Sequence, residues 1–375
     1  MSKIIYLDNA ATSFPKPRAV LKETARCIKE YCGNPGRSSH YLSIKAAEAI
    51  YEAREAVSTI LNTNKPENVV FTQNATYALN IALKSFIPEN SHIIISDMEH
   101  NSVIRPLNWL KKHKGVDFSV FNASVAKGSD IEALITDKTY AICSNITSNV
   151  TGEEVSLKLL SDVAKKNKLL LILDASQQIG HKDIDLNLNQ PCILCAPGHK
   201  ALFGIQGCGF LVFTEYIDGK TLIEGGSGTN SRAVDMPSLL PERYEAGTLP
   251  TPSVVSLRYG IDFIRKYGID NVSKRLSMLS LACSEHLKEF SDIKIHGTGC
   301  GIVAFSMDKL PSETLATALT RHGVCIRGGL HCAPLIHKRL GTEKAGLARV
   351  SFSIFNKESD IKSLCDALIK IKREC

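Results

Sequence analysis

Short, continuous apolar runs alternate with helix-length segments from residue 44 to residue 213, and few architectures accommodate that rhythm. The runs are Val69–Phe71, Ile93–Ile95, Tyr140–Cys143, Leu169–Leu173, Ile193–Cys195 and Gly209–Phe213. Segments 74–86, 101–113 and 155–167 between them are long enough for helices. Ahead of the first run, Ile50, Ala53, Val57 and Ile60 recur at three- and four-residue spacing and predict an amphipathic helix over 44–61. A strand that is apolar on both faces must be covered on both, and intervening helices supply that cover. The prediction is an α/β fold around a largely parallel sheet. Residues 214–252 break the rhythm with Gly225-Gly226-Ser227-Gly228 and four prolines, which predicts loops and a boundary. Beyond it, helices at 253–267, 270–290, 312–322 and 357–372 with strands at 302–306 and 348–352 predict a smaller α+β unit. A length of 375 residues suits two such units.

Composition removes several function classes. Hydrophobic residues make up 44% and charged residues 22%, which excludes general disorder. No stretch approaches the ~20 apolar residues that span a bilayer. The N-terminus reaches Asp8 before an apolar signal region could form, so a soluble, cytoplasmic protein without membrane association is expected. The net charge of +7 is mild, and its basic residues come in twos and threes rather than as a stripe, so no nucleic-acid partner is expected. Twelve cysteines are scattered along a long chain, a pattern of reduced, mostly buried thiols rather than of a disulfide framework.

Common cofactor signatures are missing. The nearest dinucleotide candidate, Gly297-Thr-Gly299-Cys-Gly301, has the wrong spacing and precedes a strand. A phosphate-binding loop ending at Gly219-Lys220-Thr221 would need glycine where Thr214 stands. Cys192 and Cys195 lie at an odd offset in a predicted strand, which sends their sulfurs to opposite faces, so no metal site is expected.

Two residues carry positive information. Lys200 follows an apolar strand and opens a glycine-rich stretch, where a partly dry pocket would lower its pKa and free the amine for a Schiff base. Asp174 ends the buried run Leu169–Leu173, at the strand end where ligands of parallel sheets gather. Taken singly, the lysine reads as a solvated surface residue and the aspartate as a helix cap or an ion-pair partner. Together they match what proteins contribute to pyridoxal phosphate (PLP) chemistry, a Schiff-base lysine and a carboxylate on the pyridinium nitrogen.

Eight segments in order then resemble one family: Tyr6–Thr12, Phe71–Thr76, Met98–His100, Ser148–Gly152, Asp174–Gln177, Gly198–Lys200, Glu245–Thr248 and Arg327–Cys332. The chain is identified as a member of the class V aminotransferase branch of fold-type I PLP enzymes, and within it resembles cysteine desulfurases and selenocysteine lyases. The resemblance implies a large, mostly parallel-sheet domain over 16–252. A smaller α+β domain would comprise 1–15 and 253–375 and carry a cysteine loop. It further implies that Lys200 holds PLP, Asp174 keeps its ring nitrogen protonated and His100 stacks on the ring. Asn149 and Gln177 would bond near the phenolic oxygen. The phosphate would rest at the start of the helix after strand 69–71, near Ala75, Thr76 and His199, and Thr248 would reach the phosphate of a second subunit in a homodimer. Arg349 would clamp the substrate carboxylate with help from Arg327 and Asn149. Read without their neighbours, His100 is a helix-start cap, Asn149 and Gln177 are ordinary strand-end residues, and Arg349 is half of an ion pair.

Segment 327–333 resembles the cysteine loop of the Suf-type, group II desulfurases, in which the thiol takes sulfur from the substrate. Nearby His and Arg would lower the pKa of Cys332. The implied reaction converts L-cysteine to L-alanine, leaves a persulfide on Cys332 and passes the sulfur to an acceptor protein, as in iron–sulfur cluster assembly. Lysis of L-selenocysteine is the alternative, and an aminotransferase or C–S lyase that ignores Cys332 stands behind it, as does a PLP-free scaffold. Pro197, Ala75, Leu330 and Ile205 depart from the family pattern. The remaining cysteines, Cys325 and Cys375 among them, receive no role.

Overall fold

A computed structural model describes residues 4–36, 38–228 and 232–374; Cys375 lies outside the described residues. The large sheet has seven strands, in the order Val69–Thr72, Gly209–Phe213, Cys192–Pro197, Leu170–Asp174, Thr139–Asn145, His92–Ser96 and Asp117–Phe121. All run parallel except Gly209–Phe213, which is antiparallel to both neighbours. Every residue of Cys192–Pro197, Leu170–Asp174 and His92–Ser96 is buried, which is why their sequences read as unbroken apolar runs. Cys192 and Cys195 enter opposite core layers, as their odd offset requires.

The expected helices form as Tyr41–Ile60, Ala75–Phe86, Asn101–Lys114 and Leu157–Lys166. Among the elements that the sequence did not disclose, three show why. Asp117–Phe121 is a partly exposed edge strand without a continuous apolar run. Helix Arg18–Glu30 buries Val20, Thr24 and Cys27 at helical spacing, but Leu21 and Ile28 on its exposed face blur that pattern in the sequence. Strand Ile293–Gly299 ends in Gly-Thr-Gly and is nowhere fully buried.

Ile293–Gly299, Ile302–Met307 and Ala348–Ser351 form a small antiparallel sheet. The chain start joins this side of the molecule, because Ile5–Tyr6 pairs in parallel with Val324–Cys325 and Asp8 bridges to Ser351. Helix Thr251–Tyr267 packs on Arg18–Glu30 and Tyr41–Ile60. The loop after Thr139–Asn145 meets the small sheet backbone to backbone. A Cβ on Gly152, whose φ is +73°, would lie 2.0 Å from the Gly299 carbonyl oxygen, so no side chain fits there.

Candidate active site

Parallel strands end level with one another: Asp174 is in register with Asn145 on one side and Cys195 on the other. The loops leaving these ends enclose a cavity of about 490 Å³. Eight of the twelve expected site residues line it: Ala75, Thr76, His100, Asn149, Asp174, Gln177, His199 and Lys200. Thr248 is exposed and lies in an adjoining cleft with His199, Gln206 and Gly207. Cys332 lies in a third cleft, on the other side of His100.

Burial is the largest cause of the shift that brings the Lys200 amine down to about 8, and the Arg349 and Arg327 charges add to it against the pull of Asp174. Asp174 is 2% exposed, and its Oδ1 accepts the Ser176 N–H at 2.9 Å. His100 is a helix cap as well as a cavity residue. Its Nδ1 accepts the Ser102 N–H at 3.1 Å and contacts Ser102 Oγ at 2.8 Å, and Thr76 Oγ1 continues the chain at 2.9 Å from Ser102 Oγ. Because Nδ1 accepts and burial lowers the ring's pKa, the proton of the neutral ring sits on Nε2.

The amide groups of Gln177 and Asn149 are partly committed. Gln177 Nε2 donates to the Ala10 carbonyl at 3.0 Å and Asn149 Nδ2 to the His331 carbonyl at 2.8 Å. Asn149 Oδ1 is buried without a partner. His199 Nδ1 contacts Thr12 Oγ1 at 3.1 Å, and burial brings the ring down to about 4, with the Lys200 and Lys16 charges adding to the shift.

At the helix Ala75–Phe86, the Asn74 side chain accepts the Tyr77 N–H at 3.1 Å, and Ala75 and Thr76 open into the cavity at the positive end of the helix. Strand Gly209–Phe213 runs beneath this turn; a Cβ on Gly209 would fall 2.5 Å from the Asn74 carbonyl carbon. Pro197 lines the same cavity without a hydroxyl.

Arg349 is 1% exposed and is fixed by the protein itself. Nη1 donates to the Asn149 carbonyl and Nη2 to Asp8 Oδ1, both at 2.7 Å, while Nε is buried without a partner. Arg349 is thus half of an ion pair with Asp8, and its Nε–H is left without a partner.

The loop 327–333 differs from expectation at His331. That imidazole is 2% exposed, Nε2 bonds the Leu347 carbonyl at 2.9 Å, and burial drives it down to about 2. That neutral ring, anchored away from solvent, puts no charge beside Cys332, whereas Arg327 Nη2 lies 4.0 Å from its Sγ. Cys332 is exposed, and its carbonyl accepts the Asn101 N–H at 2.7 Å, tying the loop to the helix that His100 caps. His331 and Cys332 have φ values of +49° and +59°, a left-handed conformation that costs non-glycine residues of order 1 kcal/mol each.

Several contributors escaped the sequence reading. Asp8 lies in the first family segment, but nothing local joins it to Arg349. Glu245 forms a buried pair with Arg54, Oε2 to Nη2 at 2.6 Å, and also accepts the Phe71 N–H at 2.5 Å, which fixes segment 245–248 beside strand Val69–Thr72. Glu99, next to His100, is wholly buried; burial raises its carboxyl to about 8, and Oε1 accepts the Asn145 N–H at 2.8 Å.

The residues present fit the expected cofactor. A depressed lysine, a buried carboxylate, an orphaned amide oxygen and a glycine-supported helix start face one cavity. Comparisons agree with that chemistry. The family model described as Aminotransferase class-V matches residues 5–364. A probable cysteine desulfurase of Methanothermobacter thermautotrophicus is 29% identical over 381 residues, covering 98% of this chain and 94% of that protein. One from Halalkalibacterium halodurans is 28% identical over 388 residues, covering 99% and 94%. Among solved structures, the apo cysteine desulfurase of Thermococcus onnurineus NA1 superposes with a TM-score of 0.90 at 25% identity, covering 99% of this chain and 95% of that one.

Proposed function

We propose that this chain, which belongs to the class-V aminotransferase family, is a PLP-dependent cysteine desulfurase that converts L-cysteine to L-alanine and retains the sulfur on Cys332. When bound, PLP supplies an electron sink next to the substrate amine. Lys200 anchors the cofactor and is the amine that moves a proton at the substrate Cα. Asp174 holds a proton at the ring nitrogen, and His100 covers the ring. Ala75, Thr76 and His199 receive the phosphate, and Asn149 and Gln177 turn their remaining amide valences toward the ring oxygen. Arg349 binds the substrate carboxylate through its unused Nε–H and a second N–H. Cys332 Sγ then bonds to the substrate sulfur as the Cβ–S bond breaks, and its electron pair stays on carbon, which takes a proton to become alanine.

The conformation of Cys332 carries this reading over simple transamination. An exposed thiol is held with positive φ beside His100 by a backbone bond to Asn101, at a conformational cost that an aminotransferase has no reason to bear. Thr248, exposed at the mouth of the cleft it shares with His199, serves the phosphate of a second subunit in a homodimer. A cytoplasmic setting suits eleven free cysteines among the described residues.

Alanine release by PLP-loaded enzyme, measured with L-cysteine and L-selenocysteine side by side in wild type and Cys332→Ala, tests the reading. Cysteine turnover that vanishes in the variant supports it. Equal cysteine turnover in both proteins would rule it out, and turnover of selenocysteine alone would make the enzyme a selenocysteine lyase.

A further inference from the structure

Cys332 is followed by a short helix, Pro334–Leu340, opened by its proline and closed by Gly341 at φ +66°. Two turns of helix are marginal alone, so the orientation of this one is set by what holds it. Ile336 and His337 are wholly buried, and Arg339, near the end, reaches to the loops of the seven-stranded sheet. Its Nη1 donates to both Asp97 carboxylate oxygens and to Asn122 Oδ1, each at 3.2 Å, and its Nη2 donates to Glu153 Oε2. Asp97 directly follows strand His92–Ser96, Asn122 directly follows Asp117–Phe121, and Glu153 lies in the loop after Thr139–Asn145. These three strands are parallel neighbours, so one guanidinium gathers three adjacent loops at the strand ends. His100 stands three residues beyond Asp97, and Asn149 four residues before Glu153. The acceptors are themselves fixed: Asp97 Oδ1 takes the Ala123 N–H at 3.1 Å, and Glu153 Oε2 takes the Thr151 hydroxyl at 3.0 Å. Burial pushes the Asp97 carboxyl up, and the Ala123 bond and the Arg339 charge pull it back.

We propose that Arg339 is a positioning residue for sulfur removal: by clamping this helix to the loops that carry His100 and Asn149, it sets how closely Cys332 Sγ approaches the substrate sulfur. The link from clamp to thiol is stiff. Only Ala333 separates Cys332 from the helix, and the residue after it is a proline of fixed φ. Ala333 is wholly buried, and its N–H bonds the Leu330 carbonyl at 3.0 Å. On the other side of the clamp, the His331 and Cys332 carbonyls are each held by one bond, from Asn149 Nδ2 and from the Asn101 N–H. A misplacement of 1 Å at reacting atoms can cost about a hundred-fold in rate. A planar guanidinium fork can serve three loops at once, whereas the single ammonium of a lysine is a point charge on a flexible stem. This role presupposes that Cys332 takes the substrate sulfur, as proposed above.

Alanine formed in the first turnover of PLP-loaded enzyme with L-cysteine, without reductant, reports sulfur removal directly. Binding of L-alanine, followed by the cofactor's absorbance, reports whether the rest of the site is intact. Arg339→Gln should lower the maximal first-turnover rate about ten- to a hundred-fold. Half-saturating L-cysteine and the Kd of L-alanine should stay within about two-fold of wild type, because Arg349, Lys200 and Asp174 are untouched. Arg339→Lys should recover part of the rate. Asp97→Asn removes charge from the other end of the clamp yet keeps an acceptor for Ala123, and it should add little when combined with Arg339→Gln. Lys338→Gln removes the neighbouring exposed cation of the same helix and should match wild type. An unchanged rate in Arg339→Gln would overturn the proposal. So would an equal loss in Lys338→Gln, which would mark a general charge effect, or a parallel loss of L-alanine affinity, which would mark a fold defect. If Arg339→Gln does not fold, Arg339→Lys and Asp97→Asn decide by the same measures. If wild type forms no alanine, the desulfurase reading fails and takes this role with it; if it does and the variants match it, only the clamp fails.

Discussion

Arg327 and Arg349 face one another across an isolated antiparallel bridge, exchanging N–H···O=C bonds of 3.3 and 2.8 Å. The bridge fastens the start of the cysteine loop to strand Ala348–Ser351, and both guanidinium charges act on Lys200. One pairing thus ties the cysteine loop to the small sheet and sets two positive charges near Lys200.

Arg349→Lys keeps a cation but loses the planar fork and its Nε–H. Charge-assisted hydrogen bonds are worth roughly 1.5–3 kcal/mol, so kcat/KM for L-cysteine should fall about ten- to a hundred-fold, mainly through KM. PLP absorbance should persist. Steady-state kinetics with an unchanged KM would show that the carboxylate is bound elsewhere.

Lys200 should set the pH dependence of cofactor loading. Its amine is down near 8, so the reactive neutral form grows about ten-fold per pH unit below that value and levels off above it. The rate of covalent PLP attachment to apo protein, followed by absorbance from pH 6.5 to 9, should show that bend. A rate still climbing at pH 9 would mean an ordinary lysine.

Gly329 has a positive φ, and so do the two non-glycine residues His331 and Cys332 that follow it in the loop. Cys332→Gly should therefore be more stable than Cys332→Ala by about 1 kcal/mol in urea unfolding, although both lack the thiol and neither should desulfurate cysteine. Equal stability would mean the loop relaxes out of the left-handed region.

What the sequence disclosed follows from distance along the chain. Lys200 and Asp174 were legible because each adjoins its own apolar strand, and the sheet does the rest. Asp8 and Arg349 meet only because Ile5–Tyr6 docks on Val324–Cys325, and no local pattern announces a pairing over 341 residues. His331 was legible as a neighbour of the thiol but not as a buried anchor, since its environment is made by Leu347 and the small sheet.

Arg54 and Glu245 have side chains only 9% and 6% exposed, in a two-bond pair that holds segment 245–248. Glu245→Gln leaves a buried guanidinium uncompensated and should cost about 3–5 kcal/mol by chemical denaturation. Arg54→Met with Glu245→Leu should recover most of that loss, because the pair's own desolvation is then avoided. If the double variant is no better than the single one, the hydrogen bond from Phe71 rather than the charge is decisive.

Glu99 gives the last test, and its sign is the reverse of the usual carboxylate. Its folded pKa is near 8 against an ordinary 4.5, chiefly through burial, with the hydrogen bonds from Ser96 and Asn145 opposing the shift and the Asp174 charge adding to it. Between these values the folded protein holds a proton that the unfolded chain has released, so this group's contribution is full below pH 4.5 and is lost as pH rises toward 8. The slope it adds is at most about 1.4 kcal/mol per pH unit. Glu99→Gln keeps a neutral group of the same shape at the end of His92–Ser96 and should flatten unfolding free energy between pH 5 and 8 relative to wild type. A variant whose curve parallels wild type over that range would mean that Glu99 is ionised beside Asp174, and that the buried Oε2 has found a donor.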